Sequence, residues 1–309
     1  MDQSILTGRR STVGSYAELG DAVTPAEEDR HGDLTPGEIR LRRLLAAAGA
    51  VAVVVGLLVF VPRLLRDEPP APWNPPDWSA PVFPFEPSYL PGDPAEPNVF
   101  RSGPELTVQY VYGGGSKTLS AEVSTQSLRW GAPLTEEHPG DVGGRAATIR
   151  TAPNFAGVVW QLADGRRMMA HGWGGWTEEE VLRFARGLVP GSVPSSSPFT
   201  FAEVPPGLTL QQQSPWNMCL APPEVAARTV PPTGLCVELP RSAARIKQLP
   251  DAETVTVAGR TARYQKDRTG GELQIDLDGG RTLLIQWDES IRLKRDDVIR
   301  FAAATTPAG

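Results

Sequence analysis

The sequence predicts an α+β fold, with one transmembrane helix near the N-terminus followed by two tandem repeats, each an antiparallel sheet with a C-terminal helix. Three observations predict it. Residues 44–61, opening on Leu44 and closing on Val61, form an uncharged apolar run. Beyond it, four blocks recur in the same order about 115 residues apart. Within each copy, strand-like alternation gives way to helical spacing at the end.

Residues 1–35 are polar and lack apolar periodicity, and eight Asp and Glu precede residue 44. They read as a disordered cytoplasmic tail. The transmembrane helix is expected over 36–66, because Thr35-Pro36-Gly37-Glu38 places an N-cap, a proline at the first helical position and a capping glutamate in order. Its 18-residue apolar core, 44–61, spans about 27 Å at about 1.5 Å per residue, enough to cross the hydrocarbon of a bilayer. A cleaved signal peptide fits poorly, since Val61-Pro62-Arg63-Leu64-Leu65-Arg66 offers no small-residue cleavage site. Arg40, Arg42 and Arg43 before the run outnumber Arg63 and Arg66 after it by a modest margin, and an N-terminus inside is expected chiefly because a long C-terminal part with paired cysteines fits an oxidising compartment.

Residues 67–98 read as a proline-rich spacer, with eleven prolines between residues 69 and 97. The first repeat is expected over 81–190 and the second over 197–305. Asp141-Val142-Gly143-Gly144-Arg145-Ala146-Ala147 lies over Thr256-Val257-Ala258-Gly259-Arg260-Thr261-Ala262. Gly165-Arg166 lies over Gly280-Arg281, and Val181-Leu182-Arg183-Phe184-Ala185 over Val298-Ile299-Arg300-Phe301-Ala302. The openings agree as well, with Phe83, Phe85, Pro91 and Gly92 over Phe199, Phe201, Pro206 and Gly207. Tight hairpins are expected at Asp164-Gly165 and Gly279-Gly280. The first closing helix has Thr177 as N-cap, Glu180 completing a capping box, and Trp176 and Val181 as a hydrophobic staple. Lys294 is a poor cap for its counterpart.

The repeated Val-x-Gly-Arg-x-Ala, the hairpin that follows it and the acidic helix start leading into Val-Leu/Ile-Arg-Phe-Ala resemble an uncharacterised extracytoplasmic domain family. Its members occur in single-pass bacterial membrane proteins, some of them anti-sigma-factor-like. The resemblance covers about the second half of each repeat and implies architecture without catalytic residues. The His-x3-Cys-x2-Cys zinc module of anti-sigma proteins is absent, since residues 1–43 hold only His31 and no cysteine. A bias of 26 Arg to 4 Lys points to a GC-rich, actinobacterial-type genome.

A net charge of −6 argues against nucleic acid as a partner, because phosphate binding needs a basic stripe. Gly113-Gly114-Gly115-Ser116-Lys117 misses the phosphate-loop spacing and reads as a hairpin turn. His31, His138 and His171 have no metal-ligand spacing, and no Gly-x-Ser-x-Gly elbow occurs, so no catalytic, cofactor-binding or metal residues are assigned. Cys219 and Cys236 sit at the centres of two expected strands and are read as a disulfide, which suits an oxidising compartment. In His171-Gly172-Trp173-Gly174-Gly175-Trp176, Trp173 and Trp176 are candidate partner-binding residues; the plainer reading is that Trp176 staples the helix and Trp173 caps the core. The functional expectation is a non-enzymatic binding or sensing module held in the cell membrane, its C-terminal part extracytoplasmic and facing an envelope protein or glycan. An envelope enzyme such as a cell-wall hydrolase and a structural component of an envelope complex are the alternatives.

Overall fold

The computed structural model describes residues 71–128, 130, 136–228, 230–242 and 246–308. The tail at 1–35, the helix expected over 36–66 with Leu44 and Val61, and the start of the spacer lie outside the described residues. None of the described helices is long and apolar enough to cross a membrane. The described part is mostly antiparallel β structure with a few short helices.

In chain order the first half comprises β1 (Val82–Pro87), β2 (Asn98–Ser102), β3 (Glu105–Tyr112), β4 (Lys117–Ser124), β5 (Glu136–Val142), β6 (Arg145–Ala152), β7 (Phe155–Gln161), β8 (Arg167–Trp173), α1 (Glu178–Arg186) and β9 (Leu188–Pro194). The second half comprises β10 (Phe199–Phe201), β11 (Thr209–Gln213), β12 (Asn217–Ala221), α2 (Pro223–Ala226), β13 (Leu235–Glu238), β14 (Glu253–Val257), β15 (Arg260–Lys266), β16 (Gly270–Asp276), β17 (Thr282–Asp288), α3 (Arg295–Ala303) and β18 (Thr305–Pro307).

Each half runs its main strands in the same spatial order. The first follows β2-β3-β4-β8-β7-β6-β5 and the second β11-β12-β13-β17-β16-β15-β14. The sequence reading expected a separate sheet in each repeat; instead β2 pairs with β11, and a single 14-stranded sheet runs through both halves. The physical reason is the demand of unpaired edge groups for partners, met here by the neighbouring half. The seam is short, with Gln212 opposite Ser102 and Gln213 opposite Arg101, reinforced by Gly103 N donating to Gln211 O at 2.8 Å. Two small ribbons, β1-β9 and β10-β18, flank the sheet in corresponding places.

Strand alternation sorts the side chains. Leu119, Ala121 and Val123 of β4 point to the core with Val158, Met168 and Ala170, and α1 closes that core with Val181, Phe184 and Ala185. In the second half Val298, Phe301 and Ala302 of α3 do the same against Leu273, Ile275 and Ile285. Burying each aromatic side chain contributes about 1.5–3 kcal/mol. The capping box of α1 is complete: Thr177 Oγ1 accepts from Glu180 N at 3.2 Å, and Glu180 Oε2 accepts from Thr177 N at 2.8 Å. In α3 the Lys294 side chain has no acceptor to offer, and only the return bond survives, Lys294 N to Asp297 Oδ2 at 3.0 Å.

Two segments differ from a simple reading of composition. Within the stretch expected as a spacer, Trp73 and Trp78 pack against the core of the second half, Asn74 bridges to Val204, and the Arg300 guanidinium lies 4.5 Å above the Trp73 ring. Proline favours extended backbone, but the two tryptophans give that backbone a surface to lie on. The turn at Ala258-Gly259, like Gly143-Gly144, has positive φ at both central residues (47° and 81° against 61° and 80°). That is the hairpin geometry whose twist matches the strands, and in the second half an alanine bears it.

Candidate functional site

The face of the sheet opposite the helices carries two surfaces worth separating. They occupy equivalent places in the two halves. In the first half Phe155 pairs with Trp173, Gly157 with His171, and His171 with Ser120. In the second Gly270 pairs with Asp288, Glu272 with Gln286, and Gln286 with Cys236. Strand order and register therefore set Phe155, His171 and Trp173 against Gly270, Gln286 and Asp288.

In the first half the place is filled by rings. Phe155 is buried and lies 4.9 Å from Trp173, 5.9 Å from the His171 ring and 6.1 Å from Trp130 between centroids. A Cβ on Gly157 would stand 2.7 Å from the Trp130 ring, so glycine is what lets that indole approach the sheet. The Arg150 guanidinium lies 5.0 Å over Trp130 and also pairs with Glu137. Trp173, 36% exposed, is the most exposed ring of this group. Trp176 is on the other side of the sheet, buried against Gly172 and edge-on to Tyr112 at 5.1 Å, with Lys117 Nζ 4.8 Å from its ring. Trp173 and Trp176, three residues apart in sequence, thus do not form one surface.

Beside the rings is a polar group that pattern reading missed. His171 Nε2 lies 2.9 Å from Glu122 Oε1, with both side chains largely buried. Burial and the neighbouring Glu122 charge push the Glu105 carboxyl up to about 7, against the opposing pull of His171. Ser120, directly opposite His171, is 1% exposed, and its Oγ has no hydrogen-bond partner; His171 Nδ1 also lacks one. Ser, His and Glu in such proximity invite comparison with a hydrolase triad. Here the hydroxyl is neither bonded to the imidazole nor open to a substrate, which are the two conditions for nucleophilic attack.

In the second half the equivalent place is open. A cleft of about 580 Å³ is lined by Gly234, Cys236, Lys247, Gln265, Glu272 and Gln286 among others. It is open because Gly270, Gln286 and Asp288 stand where the rings of Phe155, His171 and Trp173 stand in the first half. Gly270 has a φ of 151°, and a Cβ there would overlap the Trp287 carbonyl oxygen, so no side chain can replace the missing ring. Glu272 is buried in the floor and accepts from Gln274 Nε2 at 2.6 Å and Gln286 Nε2 at 2.8 Å. Gln274 Nε2 also reaches Lys247 O at 2.8 Å, which ties the 246–252 loop over the floor.

The other carboxylates of the cleft are held as anions. Burial would raise Asp288, but hydrogen bonds from Ser290, Gly234 N and Thr233 outweigh it and hold the group below its ordinary value. Thr269 and Gly270 N likewise lower Asp267. Carboxylates saturated in this way shape a polar surface and are poorly suited to proton transfer.

Cys219 and Cys236 face each other across β12 and β13 and form the disulfide, with the Cys236 side of the bridge facing the cleft. It closes a 17-residue separation and contributes about 3 kcal/mol in the chain-entropy treatment. Among the described residues no cluster of three or more His, Cys, Asp or Glu side chains is arranged to hold a metal ion. No family model matches the chain, and no curated protein matches it.

Proposed function

We propose that the chain is a membrane-anchored binding or sensing module of the cell envelope, built from two tandem α+β repeats and non-enzymatic. The observation that carries the binding role is the open cleft at Gly270, Glu272 and Gln286, placed where the first half is filled by rings. Two halves serving packing alone have no need of different outer faces. The lining of amides, hydroxyls and paired charges suits a peptide or glycan better than a hydrocarbon chain. Exposed Trp173 offers a second contact in the first half, of the flat aromatic kind that grips protein or sugar.

The location rests on two features. Residues 44–61 are long and apolar enough to anchor the chain, and the disulfide suits an oxidising compartment on the C-terminal side. The resemblance to extracytoplasmic domains of single-pass bacterial membrane proteins agrees with both. A periplasm-dependent phosphatase fused after Gly309 is expected to be active; an inactive fusion with normal expression reverses the orientation.

A photo-crosslinking amino acid at Gln265, in cells, tests the binding role. The expected result is capture of an envelope protein or glycan, lost when Gln286→Trp fills the cleft. Recovery of bulk lipid alone, or capture indifferent to the tryptophan, removes the reading.

A further inference from the structure

The 14-stranded sheet ends on two edges, β5 and β14, and these are equivalent strands of the two halves. An edge strand presents unpaired backbone groups, and proteins that do not use an edge usually blunt it. The two edges are treated differently. The closing pair of each terminal hairpin, Val142 with Arg145 and Val257 with Arg260, flanks a two-residue turn and exchanges backbone bonds. Alternation along the strand then directs the backbone groups of Glu137, Pro139 and Asp141 outward on β5, and those of Thr254 and Thr256 outward on β14.

On β5 the outward position is occupied by Pro139, which has no N–H to offer and costs no bond within the sheet. Glu137 on this edge is paired with Arg150 and Asp141 accepts from Gly144 N, so the proline is what blunts it. On β14 the residue at the position of Pro139 is Thr254, and at that of Asp141 it is Thr256. The strand has no proline, its register with β15 is unbroken, and its one acid, Glu253, is neutralised by Arg295 at 2.6 Å. Among the described residues, one terminal edge is blunted by proline and the other is left able to pair.

We propose that the β14 edge is an intermolecular pairing surface and that its occupant is a second copy of this chain, added antiparallel about a two-fold axis. The fold already associates in this way, since β2 and β11, the inner edges of the two halves, join antiparallel into one sheet. Self-pairing centred on Val255 sets Thr254 against Thr256 of the second copy, an uncharged β-branched pair favourable across strands. Self-pairing of β5 centred on Pro139 would set one proline against the other, with no N–H from either at the central pair. Hydrogen-bonding capacity selects β14, and the two-fold closes the assembly at a dimer.

Sedimentation of the purified full-length chain is expected to show a dimer. Thr254→Pro, which copies what the first half tolerates at Pro139, is expected to raise the dimer dissociation constant at least tenfold with an unchanged melting temperature. Should that variant fail to fold, Thr256→Lys places like charges across the axis and is expected to give the same dissociation. Mixing Thr254→Cys and Thr256→Cys chains under mild oxidation is expected to give a crosslinked pair that neither forms alone. A monomeric parent chain, a dimer that persists in both Thr254→Pro and Thr256→Lys, or crosslinking only to a different protein would each overturn the proposal.

Discussion

The two halves of the sheet share a strand order yet differ on the face turned away from the helices, and the difference separates what packing demands from what it leaves open. On the helix side the same residue types recur, Val181, Phe184 and Ala185 against Val298, Phe301 and Ala302, all buried. Each must fill a fixed volume, and close-packed interiors tolerate little change. On the other face Phe155 and Trp173 correspond to Gly270 and Asp288, one pair filling space and the other opening a cleft. The backbone positions match while the chemistry does not.

The comparison can be broken at its shared core first. Phe184→Ala and Phe301→Ala are each expected to cost about 3–5 kcal/mol in denaturant unfolding, because both rings are fully buried. Costs differing by more than about twofold would show that one half carries the other. Next in size, replacing Cys219 and Cys236 together with alanine is expected to cost about 3 kcal/mol in the second half, where the bridge closes its loop. Two thiols freely alkylated in the native, unreduced chain would contradict the pairing.

A smaller effect distinguishes the first half by pH. Glu105 is pushed up to about 7 from an ordinary 4.5, so the folded chain keeps a proton that the unfolded chain has released. Its contribution is fully present below about 4.5 and is lost as pH rises through about 7. Glu105→Gln is expected to flatten the fall in melting temperature between pH 5 and 8, and an unaltered slope would remove Glu105 as its source. Smallest of all, Ala258→Gly is expected to stabilise the chain by about 1 kcal/mol and Gly143→Ala to destabilise it similarly, since both sit in turns with positive φ. Equal and opposite changes in unfolding midpoint would sharpen the equivalence of the two hairpins.

Much of this architecture is written locally. The capping box at Thr177 and Glu180, the hairpin turns at Asp164-Gly165 and Gly279-Gly280, and the strand-centred Cys219 and Cys236 all depend on residues within a turn or a strand of one another. The candidate site was far less legible. Trp173 and Trp176 are three residues apart, yet alternation along β8 and the turn after it send them to opposite sides of the sheet. Glu105, Ser120 and Glu122 were invisible as neighbours of His171, because β3 and β4, which carry them, are separated from β8 in the chain by the strands β5, β6 and β7.

By itself the sequence determined the strand and helix periods and the turns. Each follows from short-range backbone preference or from apolar spacing, which operate without knowledge of the rest of the chain. Only the tertiary structure decided that β2 meets β11, that Trp73 and Trp78 lie on the second half, and that one outer face closes over rings while the other opens. Those outcomes depend on which strands become neighbours and in what register, a choice made by nonlocal burial and by edge hydrogen bonds seeking partners. No window of sequence contains both sides of that choice.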